Sequence, residues 1–285
     1  MALRINYNFQ SDFTHANLLK TEQSMNKSME RLATGYRINR AADDAAGLFI
    51  ADQLKTYAVS LDQGTRNAQD GVSIAQIAQG SLSEIYNILN DVKAKAIQAS
   101  NTLDSDSRDA LQQDINKLVD AIGKIFEDTE FNGTNLFTSG GTTTFTIHYG
   151  GRKDQELTIT TSTAGATAGA TAGATSTVLV GGTTYSIDVT SQTAANATVS
   201  TVDALIKAID NEAAKFGSAQ IELEKIISNN ETQRVNTSDA EGRIRNVDFA
   251  KEMSEFTRQN ILMQSGMSIL AQANQQSQLV LQLLR

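Results

Sequence analysis

The densest cluster of charge in this chain is Arg37-Ile38-Asn39-Arg40, followed by Ala41-Ala42-Asp43-Asp44-Ala45-Ala46-Gly47-Leu48. Two adjacent carboxylates could share a divalent cation or divide acid and base work between them. The other parts of either site are missing, because no third carboxylate and no His lies near in sequence. The favoured reading is that Asp43 and Asp44 open the helix that carries Ile50, where acidic groups complement the helix dipole. A second cluster, Glu241 through Phe249, reads as a charged junction between helices. His15 and His148 lie far apart, HExxH is absent, and there is no Cys. The residues therefore suggest no metal site, thiolate chemistry or disulfide, and no catalytic residue or cofactor is expected. Asn132-Gly133-Thr134 and Asn196-Ala197-Thr198 match the N-glycosylation triplet, a pattern common by chance. The Ser/Thr-rich span 161–200 reads equally as a site for O-linked sugars or as a plain solvated loop.

With enzymatic chemistry set aside, composition narrows the rest. The chain has 285 residues, a net charge of −8, 40% apolar residues, 6% aromatic residues and no Trp or Pro. Its apolar stock of Leu, Ile, Val and Ala suits narrow helix seams. Nucleic acid is a poor partner for an acidic chain, and no basic amphipathic face offers itself to a membrane. Arg4, Asp12 and His15 interrupt the N-terminus, so neither a cleaved signal nor a membrane span is expected there. That leaves a cytoplasmic protein or export by a route without a cleaved signal.

The elements follow from period. From Phe249 the apolar positions step by four and three to the end: Phe249, Met253, Phe256, Met263, Met267, Leu270, Leu281 and Leu284, with Asn260, Asn274 and Ser277 in other slots. This is a heptad seam, built to meet another helix. A lone helix of this length, roughly 60 Å at about 1.5 Å per residue, cannot bury its stripe. The Met positions could form an adaptable groove, but at heptad spacing they more often fill a seam. A weaker N-terminal seam holds Leu18, Met25, Met29 and Leu32; before it, the alternation of Leu3, Ile5, Tyr7 and Phe9 fits helix or strand.

The longest ladder runs from Ile50 to Ala99 through Leu54, Tyr57, Leu61, Gly64, Ala68, Gly71, Ala75, Ala78, Leu82, Ile85, Leu89, Val92 and Ala96. Its small slots, Gly64 to Ala78, admit a neighbouring backbone. A second ladder takes Leu111, Ile115, Leu118, Ile122 and Ile125, with capping groups at Asp104 to Ser107. A third takes Val202, Ile206, Ile209, Ala213, Phe216, Leu223 and Ile227. Three such seams pack as an antiparallel bundle, its core including Ile50, Leu54, Leu61, Leu82, Ile85, Leu89, Leu118, Ile122, Ile209, Phe216 and Leu223. Between the second and third ladders the period falls to two. Residues 144–149 and 156–161 read as one hairpin, and 177–180 and 183–189, joined by Gly181-Gly182, as another. The Ala-Gly-Ala-Thr repeat of Ala164 to Thr175 reads as a flexible or solvated loop. The fold class is mainly α, a long helical bundle with a small β region in the middle.

Several of these residues resemble one family. Arg31-Leu32-Ala33-Thr34-Gly35-Tyr36-Arg37-Ile38-Asn39, with Ala41 to Gly47, is similar to the N-terminal signature of bacterial flagellin. Glu130-Phe131-Asn132-Gly133 resembles the flagellin segment that closes the second bundle helix. Arg243 to Ala250, Ala271 to Gln275 and Leu283-Leu284-Arg285 resemble its C-terminal signature. The likeness covers residues 1 to about 138 and about 200 to 285. The family tail often carries a Pro near Ser277, which this chain lacks, and Tyr7, Phe9 and Phe13 make its start more aromatic than usual.

The resemblance implies a structural subunit that polymerises into the flagellar filament for swimming, leaves unfolded through the flagellar type III apparatus and is not an enzyme. A hook–filament junction protein of the same export family is the alternative. It implies an inner coiled coil of residues 1–40 paired with 243–285, a bundle of 41–138 with 200–242, and an outward-facing middle of 139–199. Implied partners are further copies of the chain, an export chaperone on the C-terminal segment, and the junction and cap proteins. Many flagellins are also gripped by a Toll-like receptor. By alignment that patch falls here at Asp91, Lys95, Gln98 and Asp114, and receptor-active members have Arg at the first position and Leu at the second. The resemblance therefore implies weak or absent activation by this chain.

Overall fold

A computed structural model describes residues 8–169 and 174–283, without the side chains of 276–283. Leu3, Ile5 and Tyr7, and in the tail the Leu281 side chain, the Ser277 side chain and Leu284, lie outside the described residues. The elements are α1 (Phe9–Thr34), α2 (Ala45–Asn101), α3 (Ser105–Asp128), β1 (Glu130–Phe131), β2 (Thr134–Asn135), β3 (Thr143–His148), β4 (Glu156–Thr161), β5 (Ala164–Thr167), β6 (Ser176–Val180), β7 (Thr183–Ile187), α4 (Gln192–Arg245) and α5 (Phe249–Leu283). The chain forms two compact units. One takes the chain ends, up to Tyr57 and from Val235; the other is Ala58–Arg234.

The helices begin where the residues supply acceptors. Asp44 Oδ1 accepts from Gly47 N at 2.9 Å just ahead of α2, and Asp104 caps α3 by accepting from Ser107 N at 3.0 Å. Asp43 instead ties down the turn before α2. Its Oδ2 accepts from the backbone N–H groups of Asn39 and Arg40, and Lys27 pairs with its other oxygen at 2.6 Å. These contacts, the Lys27 hydrogen bond foremost, lower its pKa from 3.8 to about 2. Gly35 ends α1 in the left-handed region, with φ 75°.

In the unit Ala58–Arg234, α2 buries Ala75, Ala78, Leu82, Ile85, Leu89, Val92, Ala96 and Ala99 against Ile115, Val119, Ile122 and Phe126 of α3 and Val202, Leu205, Ile209, Phe216 and Leu223 of α4. Phe137 sets its ring edge-on to Phe126 at 5.3 Å and to Phe216 at 6.1 Å. Leu61 is fully buried and Leu118 half-buried on the cluster. The expected core residue Ile50 is not in the core: it is 49% exposed, while Ala51 is fully buried and Leu54 half-buried. The inward line at this end runs Ala51, Leu54, Ala58, Leu61. It shares Leu54 and Leu61 with the expected ladder but takes the neighbouring slot between them, because steps of three-four-three and four-three-four lie side by side on one helix.

The hairpin β3–β4 pairs Thr143 with Thr161 through His148 with Glu156. It meets α2 and α4 at bare backbone. Asn67 donates to His148 O at 2.8 Å and Asn230 to Tyr149 O at 2.6 Å. A Cβ on Gly64 would stand 2.2 Å from Tyr149 O, and one on Gly71 2.3 Å from Ile147 Cδ1. The small slots thus admit a hairpin. Glu212, almost fully buried, holds the strand end by accepting from Ser162 N at 2.7 Å.

Residues 164–167 depart from the loop expected over 164–175, of which 170–173 lie outside the described residues. Ala164–Thr167 is strand β5, in register with Val180 to Thr177 of β6, which pairs in turn with β7. A ladder is made by main-chain groups and needs no large side chains. This sheet is fastened to α3 by two buried amides. Gln112 accepts from Val189 N at 2.7 Å and donates to Asn116; Asn116 donates to Gly169 O at 3.3 Å and accepts from Ser176 Oγ at 2.6 Å. A small hairpin, β1–β2, turns on Asn132 and Gly133 with φ 51° and 75°. Asn-Gly is the signal for such a turn.

Candidate assembly surface

In the unit of the chain ends, α1 and α5 pack as a pair. The residues of α1 turned inward step by three and four: Ser11, Thr14, Leu18, Thr21, Met25, Ser28 and Leu32. Those of α5 are Glu252, Phe256, Gln259, Met263, Gly266, Leu270 and Ala273. The expected seam is therefore divided. Leu18, Met25, Leu32, Phe256, Met263 and Leu270 lie half-buried in the pair. Met29, Phe249, Met253 and Met267 are each about half exposed or more, as are Ile261, Leu262 and Ile269. Phe9 and Phe13, stacked at 6.0 Å, are exposed on α1. What α1 covers is a mixed line, in which Phe256, Met263 and Leu270 alternate with Glu252, Gln259, Gly266 and Ala273; the apolar residues Phe249, Met253 and Met267 beside it face outward. The Ser and Thr of α1 that make this possible carry no hydrophobic period, so only their three-four spacing could have marked them.

The two charged motifs of the sequence meet here. Tyr36 bridges Asn246, Arg37 N donates to Arg245 O at 2.6 Å, and Val247 N donates to Gly35 O at 3.0 Å. Arg37 Nη2 reaches Ile244 O at 2.6 Å, and the Arg245 guanidinium lies 4.5 Å over the Tyr36 ring while facing Asp52 at 3.5 Å. Within the pair Arg31 faces Glu252 at 3.6 Å. Arg31 Nε, Glu252 Oε1 and Gln259 Oε1 are buried without a hydrogen-bond partner. The charged cluster is a clasp between chain ends. Among the described residues no group of three or more His, Cys, Asp or Glu is placed to hold a metal ion, and no helix is long and apolar enough to cross a membrane.

Of the four alignment-derived receptor positions, Asp91, Gln98 and Asp114 are exposed. Lys95 is half-buried and paired with Asp114 at 3.0 Å, and that ammonium holds the Asp114 carboxyl below its usual range.

The ends of the chain thus pair through a mixed line and turn apolar residues outward. Residues 5–142 match the bacterial flagellin N-terminal helical region and residues 199–284 the bacterial flagellin C-terminal helical region. The chain is 37% identical to a flagellin of Bacillus subtilis over 304 residues, spanning 99% of this chain and all of that one. It is 38% identical to a flagellin of Halalkalibacterium halodurans, covering 99% of each. It is 35% identical to a flagellar filament 33 kDa core protein of Treponema phagedenis, again over 99% of each. The chain belongs to the bacterial flagellin family. It is a structural subunit of the extracellular flagellar filament, which forms by self-polymerisation, and not an enzyme; the junction-protein alternative is not favoured.

Proposed function

We propose that copies of this chain assemble by burying the outward apolar line of α5, Phe249, Met253 and Met267, on neighbouring copies. The observation that carries this is the exposure of that line beside a pair already closed by other residues. Exposed apolar surface of this extent marks an interaction site, and a head-to-tail contact that does not close produces a helical polymer. The test is seeded polymerisation of purified chain followed by electron microscopy. The full chain forms long filaments; a chain ending at Asp248 stays soluble and forms none. Filaments from the shortened chain would remove α5 from assembly.

Before export both lines of an unpaired α5 are open to solvent, an aggregation hazard. A dedicated chaperone covering Met263, Met267 and Leu270 answers it, and replacing all three with Ser weakens that complex; unchanged affinity would count against it. In the same reading the chain leaves unfolded through the type III apparatus, adjoins junction and cap proteins at the filament ends, and turns residues 139–199 outward.

A further inference from the structure

We propose that the polar positions in the mixed line between α1 and α5 are a register key, and that Arg31 and Glu252 specify which helix α5 takes as its intrachain partner and at what offset. This rests on the reading that copies assemble through the apolar line of α5. That helix carries two lines of the same heptad period. Both use Phe256, Met263 and Leu270; one completes itself with Phe249, Met253 and Met267, the other with Glu252, Gln259, Gly266 and Ala273. An apolar line pairs almost as well one heptad along, or with the same line of another copy, whereas a charge inside a helix pair meets its opposite charge at one offset only.

The pairing carries its marks along its length. Asn8 Nδ2 donates to Ala273 O at 3.2 Å and Ser11 Oγ to Asn274 Oδ1 at 3.0 Å. Gly266 leaves room for Leu18, whose Cδ1 would stand 3.0 Å from a Cβ there. Arg31 faces Glu252. Sliding α5 by seven residues one way sets Glu252 opposite Ser24, and the other way carries it past the end of α1 at Thr34, so neither offset sets it opposite Arg31. The key weakens the pair it specifies: Arg31 Nε, Glu252 Oε1 and Gln259 Oε1 are buried without partners. A seam selected for strength alone would be apolar there. A seam selected to leave the apolar line free for other copies needs the polar one.

The absence of Cys makes the offset directly readable. Ser11→Cys with Asn274→Cys reports the native offset, and Ser11→Cys with Met267→Cys reports a one-heptad slip. Both pairs are placed in full-length chain, with the key intact and with Arg31→Leu and Glu252→Leu together, and oxidised after seeding. With the key intact only the first pair crosslinks. Without it the second pair crosslinks as well and filament yield falls severalfold. A charge exchange tests the same residues independently: Arg31→Glu loses most of the filament yield, and Arg31→Glu with Glu252→Arg recovers it. Two results overturn the proposal: a keyless chain that crosslinks only at the native offset with undiminished filaments, or a charge exchange that recovers nothing. Failure of unmodified chain to polymerise would instead strike the assembly reading on which it rests.

Discussion

Gly64→Ala tests how the β3–β4 hairpin is held. In a helix this change alone favours folding by about 1 kcal/mol. Here the new methyl would lie 2.2 Å from Tyr149 O. Ordinary contact is at about 3.5 Å, so the hairpin must withdraw by about 1 Å. Withdrawal stretches the Asn67–His148 and Asn230–Tyr149 hydrogen bonds, now 2.8 and 2.6 Å, beyond useful length. A buried donor left unpaired costs about 1–3 kcal/mol; Asn230 is buried and bears that in full, Asn67 is half-buried and bears less. With overpacking of about 1–3 kcal/mol, the loss outweighs the helical gain by about 3 kcal/mol. For a unit of this size that lowers Tm by roughly 6–12 °C. Gly80→Ala in the same helix is the control, because nothing lies within 4 Å of its Cβ position, and it raises Tm by a few degrees. Thermal unfolding of both chains by circular dichroism decides. If Gly64→Ala melts with or above the parent chain, the close backbone approach is wrong.

Asp43→Asn lowers the melting temperature at neutral pH. The Asp43 carboxyl titrates at about 2 when folded and near 3.8 when not, so its contribution is present above pH 4 and fades as pH falls toward 2. The two melting curves therefore converge across that window; a constant gap would refute the Lys27 pairing. Gly182 sits at φ 78° in the β6–β7 turn, and Gly182→Val costs about 1–2 kcal/mol, read as a lower urea midpoint. A short epitope after Gly140, in an exposed bend, leaves stability unchanged, whereas the same insertion after Ala166 breaks the β5–β6 register and lowers Tm; equal effects would mean β5 is not a strand. In a reporter-cell assay of Toll-like receptor activation, the parent monomer is weak and Asp91→Arg with Lys95→Leu, which also breaks the Lys95–Asp114 pair, is stronger; a potent parent would refute the receptor reading.

The helices were legible because a four-three ladder of Leu, Ile and Ala, sustained over many turns, fits little besides a helix seam. The two hairpins flanked by Gly turns were legible for the same kind of reason. β5 was not, since Ala164 to Thr167 contribute main chain to a sheet and almost nothing to a hydrophobic pattern. β1 and β2 are two residues each, too short for any period. The assembly surface was half legible. Period alone shows that α5 carries a seam, but two heptad lines share every second slot, and which one α1 covers depends on Ser11, Thr14, Thr21 and Ser28, residues that look like ordinary surface until their partner is in place. The meeting of Arg37 with Ile244 and Arg245 joins positions more than two hundred apart, a distance no local pattern spans.

The fastening of the β5–β6–β7 sheet bears on how this chain can change over time. Gln112 and Asn116 grip Val189 and Gly169, just past β7 and β5, by main-chain groups, and Asn116 also holds the buried Ser176 hydroxyl, so the grip depends little on which side chains the strands carry outward. Thr184 and Ser186 stand exposed on the face opposite Ile187. Substitution there leaves the anchor in place. The exposed face of this sheet is thus free to diversify in sequence, while the two amides that fasten it to α3 are held to their identity.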